Sequence, residues 1–298
     1  MEGPIVVVAT AEPGVRRPVL GFALVFAAAT LFGINGSVAK VALSSGLSSL
    51  RLTEARCAGA CIGLLLIVLI RSPRALRVDR RSLLRLAVFG VVGVALLIQY
   101  LGPLLVAIWA RTFGRERVRA RIWAALALSL AGLSLMVELW SGVSLDGLGI
   151  AYALISAVIF AAYLLLAERE VAHRDAISLM AWGFVFATAF WTIVQPWWSF
   201  PAHRVAQTVS LEGRLASWHL PLWALVLWVI VLGSIVPFTL FVGALRHLSA
   251  TRVGIAAMLE PVVATIVAWA WLEESLSASQ LAGAGVVLVG ILLAQTAR

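Results

Sequence analysis

The chain has 298 residues, 62% of them hydrophobic and 12% charged, with a formal net charge of +9; its mean hydropathy is +1.02. That balance leaves too little polar surface for a water-soluble domain of this length and predicts an all-α polytopic membrane protein. The arginines sit in short loops between apolar runs, as topology signals, and not on the continuous basic face that nucleic-acid binding needs, so no nucleic acid is expected as a partner.

Residues 1–18 contain three prolines, a short apolar patch and no leading basic cluster, and read as a loose tail and a poor signal peptide. A window of about 20 residues then predicts membrane spans near 19–42, 50–70, 83–110, 122–140, 148–168, 177–195, 221–246, 251–272 and 278–296. These runs lack the alternation of barrel strands, so about nine transmembrane helices are expected. Cys57 and Cys61 stack on one face of the second span and read as packing residues, with no metal or disulfide role. Trp197, Trp198, Trp218 and Trp223 flank the longest loop, as rings anchored at the headgroup level do.

Two stretches recur within the chain. "LGFALVFAAATLF" from Leu20 matches "LGIAYALISAVIF" from Leu148, pairing Gly21 with Gly149 and Phe32 with Phe160. "LGPLLVAIWARTFGRERVRARIWAALALSLAG" from Leu101 matches "LEPVVATIVAWAWLEESLSASQLAGAGVVLVG" from Leu259, pairing Pro103 with Pro261 and Gly132 with Gly290. The matches divide the chain into a first half, 19–140, and a second half, 141–298. Between the blocks the first half is short by about 18 residues, roughly one membrane crossing at 1.5 Å rise per residue.

Loop charge conflicts with that shortfall. Arg71, Arg74, Arg77, Arg80, Arg81 and Arg85 mark one basic loop, and Arg111, Arg115, Arg117, Arg119 and Arg121 the next. Both prefer the cytoplasm, which needs an even number of crossings between them. The intervening apolar run of about 27 residues is about 40 Å long as helix, enough for one tilted span and too short for two with a turn. A lipid-exposed hairpin would leave backbone groups unsatisfied, so a single long span over 83–110 is the expectation, against a re-entrant segment kinked at Gly90, Gly93 or Gly102-Pro103.

The segments "LGFALVFAAATLFGINGSVAKVAL" and "GIAAMLEPVVATIVAWAWLEESLSASQLAGAGVVLVGILL", with the duplication, resemble EamA-type carriers of the drug/metabolite transporter superfamily. The resemblance implies ten helices in two inverted five-helix repeats, and bacterial exporters of amino acids and related metabolites. This chain departs from the pattern by one helix, the fourth of the first repeat, which puts the inversion of the halves in question.

Polar residues inside the spans are the candidate site, since an ionisable group in hydrocarbon costs several kcal/mol unless it meets a partner or an aqueous cavity. Glu260 lies within a span directly before Pro261, whose missing donor frees a carbonyl; it reads as a proton- or substrate-binding carboxylate, or as a structurally paired acid at a kink. Glu54 and Arg56 bind substrate or pair near the interface. Asn35 and Lys40, in "GINGSVAK", bind or serve a loosened helix and a snorkelling amine. Gln99 and Tyr100 precede Gly102-Pro103 and hydrogen-bond substrate or pack helices. Gly59 and Gly63 form a G-x-x-x-G pair that suits helix contact inside the bundle and leaves a homodimer open.

No His or Cys set has metal-ligand spacing, and no nucleophile motif or phosphate-binding loop is present, so no metal, cofactor or enzyme activity is expected. The expectation is a proton-coupled secondary exporter of small polar metabolites, amino acids foremost, in the lipid bilayer of a bacterial cytoplasmic membrane. The arginine-rich, nearly lysine-free composition fits a GC-rich bacterium. The alternative is a helix-deficient relative that assembles in the membrane without transporting.

Overall fold

The computed structural model describes residues 17–79, 82, 83, 85, 86, 89, 101–113, 118–138 and 147–296. The tail read over 1–18 lies almost wholly outside them. The helices are α1 (Pro18–Ser44), α2 (Ser49–Arg71), α3 (Gly102–Thr112), α4 (Ala120–Met136), α5 (Gly147–Val171) and α6 (Ala176–Val194). They continue with α7 (Leu222–Ile230), α8 (Val236–Ala244), α9 (Ala250–Ala257), α10 (Leu259–Leu272) and α11 (Ala278–Thr296). A π-turn at Val231–Ile235 joins α7 to α8 as one rod, and a kink at Met258 joins α9 to α10 as another. The fold is all-α and polytopic, with about nine helical rods among the described residues.

Six helices, Pro18–Ser44, Ser49–Arg71, Ala176–Val194, Leu222–Ala244, Ala250–Leu272 and Ala278–Thr296, are each long and apolar enough to cross a membrane. Start signals are local. Ser48 accepts the Arg51 N–H at 3.3 Å to cap α2, and Asp175 accepts the Ser178 N–H at 2.9 Å to cap α6. The loop between α6 and α7 carries a two-stranded antiparallel ribbon, Thr208–Ser210 with His219–Pro221. Trp198 and Trp218 stand 90% and 66% exposed beside it, as the anchoring expectation requires.

Contacts between helix ends sort the structure into two faces. On the basic face, Arg85 Nε meets Glu170 Oε1 at 3.2 Å, and the Ala250 N–H donates to Glu168 Oε1 at 3.2 Å. On the far face, Arg51 donates to Pro196 O at 3.1 Å, Arg204 to Gly46 O at 2.7 Å, and Trp271 Nε1 to Leu211 O at 2.9 Å. Lys40 pairs with Glu274 on the same face. Glu138, just past α4, accepts hydroxyl hydrogen bonds from Ser277 and Ser279, which hold its carboxyl below the usual range. The end of α4 is therefore on the far face and its start on the basic face.

The described ends of the run are at odds with the single traverse expected over 83–110, whose middle, residues 90–100, lies outside the described residues. Helix α3 has 11 residues, about 16 Å at 1.5 Å per residue, half of a hydrocarbon core of about 30 Å. A Cβ on its first residue, Gly102, would lie 2.5 Å from Phe160 midway along α5, and Pro103 lies against Gly254 of α9. From that mid-depth start α3 rises to meet the beginning of α4, so Arg111 and Arg85 share the basic face. The helix expected to be missing is thus kept in part, because α3 occupies the place that the internal match assigns it opposite α10. The backbone rule that disfavoured a partial-depth segment concerns lipid-exposed chain, whereas Pro103, Val106 and Ala107 are buried among protein neighbours. Single cysteines at Leu76 and Val118, with Cys57 and Cys61 replaced, should react with an impermeant maleimide from one and the same side. Labelling from opposite sides would restore the single traverse.

Helices from the two matched blocks run in opposite directions: α1 leaves the basic face and α5 returns to it, and α4 and α11 do likewise. The α4–α11 contact is self-complementary. A Cβ at Gly132 would sit 2.6 Å from Gly283 O and 2.7 Å from Val287 N, while one at Gly290 would sit 2.9 Å from Ala125 O and 3.0 Å from Ser129 N. The register that pairs Gly132 with Gly290 also pairs Ala125 with Gly283 and Ser129 with Val287, so each half presents the same surface to the other. Gly59 and Gly63 pack on Ile230 and Ile235, a contact inside the bundle.

Candidate functional site

The site is built where α1, α2, α5, α8 and the α9–α10 kink converge at mid-depth. There, a cavity of about 200 Å³ is lined by Phe32, Asn35, Gly36, Arg56, Phe160, Tyr163, Phe238, Phe241, Ala257 and Glu260. Glu260 lies in the first turn of α10, just past the kink at Met258. Pro261 follows it and has no N–H to offer Ala257 O, and Ala257 lines the cavity.

Close helix approach sets the position of Glu260. A Cβ at Gly33 would lie 2.8 Å from Val263 Cβ and 2.9 Å from both Ala264 N and Glu260 O, so α1 rests directly on the α10 backbone. Two residues along, Asn35 is only 8% exposed and its Oδ1 has no partner. Its side chain occupies the space a Cβ would need at Gly233, in the centre of the π-turn. Pro237, four residues after Gly233, removes a helical donor there, and Ser234 Oγ donates to Val229 O at 2.8 Å.

Arg56 enters from α2 with its Nε buried and unpartnered. Neither Arg56 nor Glu260 takes part in the ion pairs of Lys40 with Glu274, Arg51 with Glu54 and Arg85 with Glu170, and the two face one cavity. The rest of the wall is aromatic and mutually braced. Phe32 meets Phe238 edge-on at 4.9 Å between centroids, and Phe160 stacks with Tyr163 at 6.3 Å. The Tyr163 hydroxyl is engaged with Met180 Sδ at 3.8 Å.

Of the eight residues singled out from sequence, Asn35, Arg56 and Glu260 meet in the cavity, and Pro261 shapes it from the next position. Lys40 does not reach it; its amine lies with Glu274 on the far face, the two side chains 59% and 48% exposed. Glu54 is fully buried and holds Arg51 at 2.7 Å, and Arg51 in turn binds Pro196 O and Ser199, so this acid ties α2 to the far-face loop. Gln99 and Tyr100 lie outside the described residues. The aromatic wall escaped sequence reading because phenylalanines in apolar helices look like core. The pairing of Phe32 with Phe160 in the internal match was the one signal for it. Among the described residues no three His, Cys, Asp or Glu side chains are placed to hold a metal ion.

A sequence profile of the EamA-like transporter family matches residues 147–296. An uncharacterized transporter of Archaeoglobus fulgidus is 26% identical over 228 residues, covering 72% of this chain and 76% of that protein. The threonine/homoserine exporter RhtA of Escherichia coli K12 is 25% identical over 245 residues, 76% of each chain. A solved crystal structure superposes with a TM-score of 0.67 at 17% identity, over 93% of this chain and 95% of that one, a likeness of fold.

Proposed function

The chain belongs to the EamA-like transporter family, and from that premise we propose that it is a secondary carrier that exports small polar metabolites, amino acids foremost, by alternating access. The observation that carries the reading is the opposed pair of charges on one small cavity. Arg56 offers a guanidinium fork to a carboxylate, Glu260 a carboxylate to an ammonium group, and Asn35 an unpartnered acceptor between them. A volume of about 200 Å³ lies below the 300 Å³ or so at which drug-sized sites begin, which suits a metabolite. The aromatic wall would take an apolar side chain. RhtA, named as a threonine/homoserine exporter, supports the same substrate class.

The internal match, the antiparallel courses of the matched helices and the self-complementary α4–α11 contact support two inverted repeats, 19–140 and 141–298. Inversion provides two related conformations around a fixed mid-depth site. Glu260 is the proton-coupling carboxylate in this reading, and the setting is a bacterial cytoplasmic membrane. A second reading rests on the half length of α3: a family member that assembles without transporting.

Efflux of labelled threonine, homoserine and larger amino acids from loaded proteoliposomes tests the proposal. Export several-fold above that of empty liposomes, for at least one zwitterionic substrate, is the expected result. A rate equal to empty liposomes for every amino acid, with the protein shown to be inserted, favours the second reading.

A further inference from the structure

A second cavity, of about 360 Å³, opens on the basic face between the turn at Pro73–Leu76, Ser82 and Arg85, and the α5–α6 corner. Arg77, Arg85 and Arg174 line it together with Glu170 and Asp175. Each acid is engaged through one oxygen, while Glu170 Oε2 is buried without a partner. Glu170 Oε1 holds Arg85 Nε at 3.2 Å, and Asp175 accepts the Ser178 N–H at 2.9 Å as the cap of α6. Arg174 donates to Ala75 O at 3.4 Å, and among the described residues neither it nor Arg77 has a carboxylate within ion-pair distance. Ser178, in the first turn of α6, is 1% exposed, lines the cavity and has a buried Oγ without a partner.

We propose that this cavity binds a phosphate group, held by the Arg77 and Arg174 guanidinium forks and the Ser178 hydroxyl at the start of α6. Each component suits that ligand. Guanidinium forks match phosphate oxygens in pairs, and an unpartnered hydroxyl supplies a donor. Glu170 restrains the third arginine, so the cavity keeps net positive charge without collapsing on itself. The phosphate has two sources of the same chemistry: the headgroup of an anionic phospholipid in the inner leaflet, or free phosphate in the cytosol. Leu83, beside the lining residue Ser82, is 37% exposed, and Ile70, at the end of α2 on this face, is 82% exposed; both would lie along acyl chains beneath a bound headgroup. The site is separate from the mid-depth cavity, and its occupancy does not depend on which metabolite the carrier moves.

The test uses the full chain in nanodiscs of phosphatidylcholine alone or with phosphatidylglycerol, and in phosphatidylcholine with inorganic phosphate added at constant ionic strength. Phosphatidylglycerol should raise Tm by about 3 °C or more over phosphatidylcholine. The Arg77→Gln/Arg174→Gln variant should lose that shift while keeping its baseline Tm. A rise produced equally by inorganic phosphate assigns the site to soluble phosphate and supports the proposal from that source. Arg77→Gln alone removes no hydrogen bond within the protein and must at least halve the shift, even if the double variant fails to fold. An equal Tm in all three media, or an undiminished shift in Arg77→Gln, overturns the proposal.

Discussion

Glu260→Gln is expected to abolish uphill, proton-driven export while leaving the protein inserted and folded. Glutamine keeps the shape and one acceptor of the carboxylate, so the packing of α1 on α10 through Gly33 is undisturbed. What is lost is the titrating group and the negative charge facing the ammonium end of a zwitterion. Loss of one charge-assisted interaction of about 1.4 kcal/mol already gives a tenfold fall, so flux at neutral pH should drop at least about tenfold and stop responding to an imposed pH gradient. The measurement is initial efflux from proteoliposomes across a series of internal and external pH values. Normal flux with the normal pH response would remove Glu260 from the site.

Gly132→Val is expected to be among the most destabilising single substitutions in the chain. The Cβ it adds would meet Gly283 O at 2.6 Å and Val287 N at 2.7 Å, backbone atoms that cannot rotate away. The reciprocal contacts at Gly283 and Gly290 leave α11 no direction in which to yield without breaking the equivalent contact one or two turns along. Overpacking of this kind costs roughly 3 kcal/mol, the upper end of the usual range, because backbone rather than a side chain must move. Thermal unfolding in detergent should show the loss directly. Gly285→Ala is the control on the same helix: no atom lies within 4 Å of its Cβ, and its Tm should stay at or slightly above the wild-type value. Equal Tm values for the two variants would mean that α4 and α11 do not pack through their glycines.

These two positions were legible in the sequence to different degrees. Glu260 stood out because a carboxylate inside a long apolar run is costly wherever it lands, which makes it conspicuous without any structure. Gly132 showed only as a coincidence with Gly290 in the internal match. Its importance comes from what lies opposite, Gly283 on a helix far along the chain. Glu54 illustrates the reverse error. Its chemistry matched that of Glu260, yet Glu54 is engaged with Arg51, while Arg56, two residues on and so on the opposite side of α2, faces the cavity.

Composition and local hydropathy alone determined the membrane class and the extents of the long helices, because burial in lipid depends on the apolar character of about 20 neighbouring residues. The tertiary structure alone decided which face receives Arg85 and Arg111, and which of the intramembrane polar residues share a cavity. Helix length set the sequence argument for one traverse, but a short helix can stop at mid-depth when protein rather than lipid surrounds it, and no local pattern reports what will surround it. The same reason applies to the meeting of Asn35, Arg56 and Glu260: each sits on a different helix, and only the packing of those helices brings their side chains to one place.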